Sequence, residues 1–125
     1  MNKKILTMAA MGLALGIGTA HAEGDPAAGE KVFKKCKICH KVEEGKNSPV
    51  GPNLYGIFGR EAGKGDFKRY STALKNSGIV WNEETIAAYL KDPKGYIPKN
   101  KMAFPGLKKD KDVENVIAYL KQVTQ

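Results

Sequence analysis

Arginine is scarce, with only Arg60 and Arg69 in 125 residues. Arginine is the side chain that most often reads base edges, so nucleic-acid recognition is a poor fit despite the formal charge of +8. Nor is any apolar run long enough to cross a bilayer, which takes ~20 consecutive apolar residues. The longest, over residues 5–17, follows Lys3 and Lys4 and leads into Ala20-His21-Ala22, the layout of a cleaved export signal. Residues 1–22 are therefore read as a signal peptide, and residues 23–125 as one domain near the lower size limit for an independent core. Setting Lys3 and Lys4 aside lowers the charge from +8 to +6, a balance that favours acidic partners. Also missing are an alternating β pattern, an internal repeat and a low-complexity tract. No nucleophile stands with a base, and neither a carboxylate pair nor a phosphate-binding loop is present, so the usual hydrolytic and transfer chemistries have no machinery.

What the domain does contain is helix punctuation. Asp25-Pro26 reads as a cap followed by a first helical residue, opening a helix that runs through Val32 and Phe33 toward Cys36. Ser71 is placed to cap a short helix through Leu74 to Asn76, ended by Gly78, and Asn82 a second carrying Ile86, Ala87, Tyr89 and Leu90. Pro93 stops the second. From about Asp110, Val113, Val116, Ile117 and Leu120 recur at i, i+3, i+4 and i+7, an amphipathic helix. Residues 44–65, broken by repeated glycine and proline, form a long loop of the kind that wraps a cofactor. The expected architecture is all-α, three to five helices with long loops.

Cys36-Lys37-Ile38-Cys39-His40 has the C-x-x-C-H spacing of covalent haem attachment. On a helical turn residues three and four apart share a face, so two thiols and an imidazole can point the same way. The thiols would add to haem vinyl groups and His40 would reach the iron. The rival uses of a cysteine pair fit less well. A thioredoxin-like pair wants a βαβ context, and zinc wants four donors where the mature chain offers three. A Cys36–Cys39 disulfide would close too small a loop to constrain much. With His21, Met1, Met8 and Met11 removed, Met102 is the remaining strong candidate for the second axial position. A core-filling methionine is the plain alternative. His/Met ligation raises the reduction potential and suits reversible Fe(III)/Fe(II) exchange without bond making.

These residues, with Gly51-Pro52-Asn53-Leu54-Tyr55-Gly56-Ile57-Phe58-Gly59-Arg60, Trp81, Tyr96-Ile97-Pro98 and Val116-Ile117-Ala118-Tyr119-Leu120, resemble monohaem class I cytochromes c of mitochondria and bacteria. The resemblance implies the small cytochrome c fold around one covalent haem c with its iron. It further implies that the Pro52 carbonyl orients His40, that Tyr89 hydrogen-bonds near the Met102 sulfur, and that Arg60, Tyr70 and Trp81 meet the haem propionates. Gly29, with Val32 or Phe33, and Tyr119 would form the crossing of first and last helices. Lys35, Lys94, Lys101, Lys108 and Lys109 match positions that ring the exposed haem edge, where acidic faces of redox proteins dock. The implied function is a soluble periplasmic single-electron carrier, monomeric and at most peripheral to the membrane. It would work between a quinol-oxidising complex and an oxidase, a reductase or a photosynthetic reaction centre. An open-site haem enzyme or gas sensor is the second reading, and a sixth ligand at Met102 separates the two. Asn100, Leu74 and Ser48 depart from the mitochondrial pattern, which has threonine, asparagine and histidine there.

Overall fold

The computed structural model describes residues 24–125, so the signal peptide read over 1–22 lies outside the described residues. Five helices follow one another: α1 (Pro26–Phe33), α2 (Thr72–Lys75), α3 (Glu83–Lys91), α4 (Pro93–Tyr96) and α5 (Asp110–Val123). No helix among them is long and apolar enough to cross a membrane. The caps behave as short-range chemistry requires. Asp25 accepts the Ala27 N–H, Ser71 accepts that of Leu74, and Asn82 and Thr85 close a reciprocal capping box.

Pro93 stops α3 as expected, the helix ending at Lys91, and it also begins a further short helix. The Asp92-Pro93 pair opens α4, with Asp92 Oδ1 accepting the Gly95 N–H at 3.0 Å. It repeats the Asp-Pro signal that begins α1. Proline lacks an N–H and has helical φ, so it both ends one helix and suits the first residue of the next.

The core forms where α1 crosses α5. Val113, Val116, Ile117 and Leu120 of α5 are buried, with Phe33 beneath them and the Phe33 and Tyr119 rings 5.3 Å apart. Gly29 permits the crossing, because a Cβ there would sit 2.8 Å from Tyr119 Cβ and overlap the Asn115 carbonyl. Buried Asn115 fastens the same corner by accepting the Asp25 N–H at 2.8 Å. No regular strand occurs among the described residues, but an isolated bridge joins Glu61 to Val80. Beside it Gly59 donates to the Trp81 carbonyl at 2.7 Å and Trp81 donates to that of Arg60 at 2.9 Å. That bridge brings two loops, and with them Arg60 and Trp81, to one wall of the interior.

Lys99 has φ +66°, in the left-handed region where a Cβ costs ~1–2 kcal/mol. Lys99→Gly is expected to stabilise the protein by about 0.5–1 kcal/mol after allowance for the freer unfolded chain. Thermal unfolding should then shift upward by ~2–6 °C, and an unchanged or lower midpoint would contradict the strain.

Candidate functional site

Beyond Phe33 the chain keeps turning. Cys36 donates to the Phe33 carbonyl at 2.8 Å, and the His40 N–H donates to that of Cys36 at 2.9 Å. This extra turn places Cys36, Cys39 and His40 on the wall of one apolar cavity of about 480 Å³. The two thiols are not joined in a disulfide. Burial pushes the Cys36 thiol up to about 11, against the opposing pull of the Lys35 charge, so it stays a protonated thiol at neutral pH.

His40 is held by its second ring nitrogen. Nδ1 lies 2.7 Å from the Pro52 carbonyl oxygen. A carbonyl can only accept, so Nδ1 carries the proton and Nε2 keeps its lone pair. Burial lowers the His40 pKa, the Pro52 contact working the other way, and the ring is therefore neutral and able to ligate. Gly51 makes the fit possible: a Cβ there would stand 2.9 Å from the Cys39 carbonyl oxygen and 3.1 Å from the His40 ring. In the sequence the only sign of this role is the Gly51-Pro52 step, which marks a backbone under special constraint.

Met102 lines the same cavity, and the Tyr89 hydroxyl donates to its sulfur at 3.9 Å. Burial pushes Tyr89 up to about 12, so that donor persists throughout the physiological range. Tyr89 packs on Trp81 with ring centroids 5.1 Å apart. Arg60, Tyr70, Trp81 and Leu74 also reach the cavity. The Arg60 guanidinium is already partly engaged, donating to the Asn53 carbonyl at 3.0 Å and to that of Tyr55. Burial raises the Tyr70 pKa, and neighbouring Arg60 opposes the rise.

The lysines divide. Lys35 and Lys101 stand at the cavity wall, whereas Lys94, Lys108 and Lys109 do not line it. Lys94 instead turns its ammonium onto the Asn100 carbonyl, and Lys108 Nζ lies 3.5 Å from that of Pro105. Ser48 accepts the Val50 N–H at 3.2 Å, a local turn contact.

The donor set fits one kind of group. Two free thiols and a neutral imidazole share a turn, a thioether faces the same space, and the rest of the lining is largely aromatic and aliphatic. A cavity of about 480 Å³ falls within the ~300–1,000 Å³ typical of cofactor sites. Among the described residues no cluster of three His, Cys, Asp or Glu side chains offers a zinc site instead. A helical shell closed on an apolar slot with such a wall belongs to the covalent-haem proteins.

Comparison with known proteins agrees. The cytochrome c family model matches residues 26–124. Cytochrome c of Ginkgo biloba is 51% identical over 102 residues, covering 81% of this chain and 90% of the relative. Cytochrome c-554 of Methylosinus trichosporium is 47% identical over 119 residues, covering 94% and 90%. Among solved structures, cytochrome cH from Methylobacterium extorquens superposes with a TM-score of 0.74 at 47% identity, covering 79% of this chain and 99% of that one. The chain belongs to the cytochrome c family. Its cofactor is covalent haem c with iron, and its work is electron transfer with redox partners, not enzymatic turnover.

Proposed function

We propose that this protein is a soluble single-electron carrier whose haem iron is held by His40 and Met102. The observation that carries the reading is that the Pro52-oriented imidazole and the Tyr89-contacted sulfur share one cavity with both thiols. When bound, the haem supplies reversible one-electron exchange at its iron. Cys36 and Cys39 would hold it by thioethers, while His40 offers Nε2 with its tautomer set by Pro52. Met102 would fill the sixth position, favouring the ferrous state and keeping other ligands away. Arg60 and Trp81, on the wall the loop bridge builds, and Tyr70, which also lines the cavity, would face the propionates. Burial in an apolar shell limits reorganisation as the charge changes, which suits rapid exchange.

Residues 1–22 would be removed on export to the periplasm, leaving residues 23–125 as a monomeric domain. Absorption spectra of the matured protein test this reading. Haem should resist acid–acetone extraction, and the ferric form should show the weak near-infrared sulfur-to-iron band. Haem that extracts freely, or a missing band with rapid cyanide binding, would overturn it.

Lys35 and Lys101 at the cavity wall, with Lys94, Lys108 and Lys109 outside its lining, would steer the acidic face of a quinol-oxidising complex, an oxidase, a reductase or a photosynthetic reaction centre. Association is expected to slow about tenfold or more between ~0.01 and ~0.15 M ionic strength. Salt-independent rates in stopped-flow measurements would remove the steering and leave the haem assignment standing.

A further inference from the structure

The turn that delivers Met102 closes on one buried amide. Asn100 is 4% exposed, and its side chain uses its full hydrogen-bonding capacity. Nδ2 donates to the Pro93 carbonyl at 2.8 Å and to the Ile97 carbonyl at 2.8 Å. Oδ1 accepts the Met102 N–H at 2.9 Å and lies 3.4 Å from Lys94 Nζ. The same ammonium donates to the Asn100 backbone carbonyl, while the Asn100 N–H donates to that of Ile97 at 3.2 Å. One side chain thus ties the start of α4, its end and the backbone of Met102 together. The residue before it, Lys99, sits at a positive φ that opposes the turn. A hydroxyl has one proton and cannot donate to both carbonyls at once.

We infer that Asn100 is the positioning residue for the Met102 sulfur, locking residues 93–102 in the turn that holds Sδ in the haem cavity. This rests on the reading that Met102 ligates the iron. An exogenous ligand reaches ferric iron only when Met102 has swung away, so its binding rate scales with that local opening equilibrium. Buried hydrogen bonds present only in the closed turn set the equilibrium.

The test uses the matured haem protein, with imidazole as the probe of the ferric form and the near-infrared band as the report of sulfur ligation. Asn115→Ala is the control, since Asn115 is also buried but fastens α1 to α5 away from the Met102 turn. Both Asn100→Ala and Asn115→Ala should unfold at lower temperature. Only Asn100→Ala should bind imidazole about tenfold or more faster, the factor given by loss of ~1.4 kcal/mol of hydrogen bonding. Asn115→Ala should stay within about twofold of the parent, because its contact is absent from the opening step. If Asn100→Ala does not accumulate, Asn100→Ser is read by the same criteria. An unchanged rate in the Asn100 variant, or equal acceleration in both variants, overturns the inference and leaves ligation intact. A parent protein without the band overturns ligation and the inference with it.

Discussion

Met102→Ala is expected to leave the haem attached, abolish the near-infrared sulfur-to-iron band and lower the reduction potential by on the order of 0.1 V or more. Attachment survives because the substitution leaves Cys36, Cys39 and His40, on their own turn, untouched. The potential falls because a thioether is a soft ligand that stabilises ferrous iron, and a water or hydroxide in its place stabilises ferric iron instead. Axial ligand choice spans roughly 0.8 V among haem proteins, so the shift stands well above measurement error. Rapid cyanide binding should appear together with the lost band. A variant with parental spectrum and potential would return Met102 to the role of a core filler.

Gly29→Val is expected to destabilise the protein by ~3 kcal/mol or more, the upper range for overpacking, because backbone and not a flexible side chain must give way. The nearest obstacle to a Cβ is the Asn115 carbonyl, part of the α5 backbone, followed by Tyr119 Cβ at 2.8 Å. Separating the helices would also unseat Phe33 and stretch the Asp25–Asn115 contact. The thermal midpoint should drop by ~10 °C or more. Ala27→Val, on the exposed face of the same helix, isolates helix propensity and should cost less than ~0.7 kcal/mol. Equal losses in the two variants would mean that α1 and α5 do not approach closely.

Where chemistry is local in the chain, the sequence proved readable. Asp25, Ser71 and Asn82 cap the helices they were expected to cap, each by reaching an N–H two or three residues on. α5 buries five residues, the four apolar ones of the expected stripe and Asn115. Asp92 uses the same short-range bond to open α4, but a proline suits the end of one helix and the start of the next alike, so the sequence there does not separate the two.

Residues 36–40 determine their own arrangement, because a single helical turn fixes which side chains share a face whatever surrounds it. The same holds for the α5 stripe, whose period alone identifies the buried side. Folding decided the rest: that Lys94 turns onto Asn100 and not outward, that the Arg60 guanidinium answers to the Asn53 and Tyr55 carbonyls, and that Gly51 must lack a Cβ beneath His40. Each depends on where an irregular loop comes to lie against another segment. No periodicity encodes such a meeting, and only the closed chain supplies both partners.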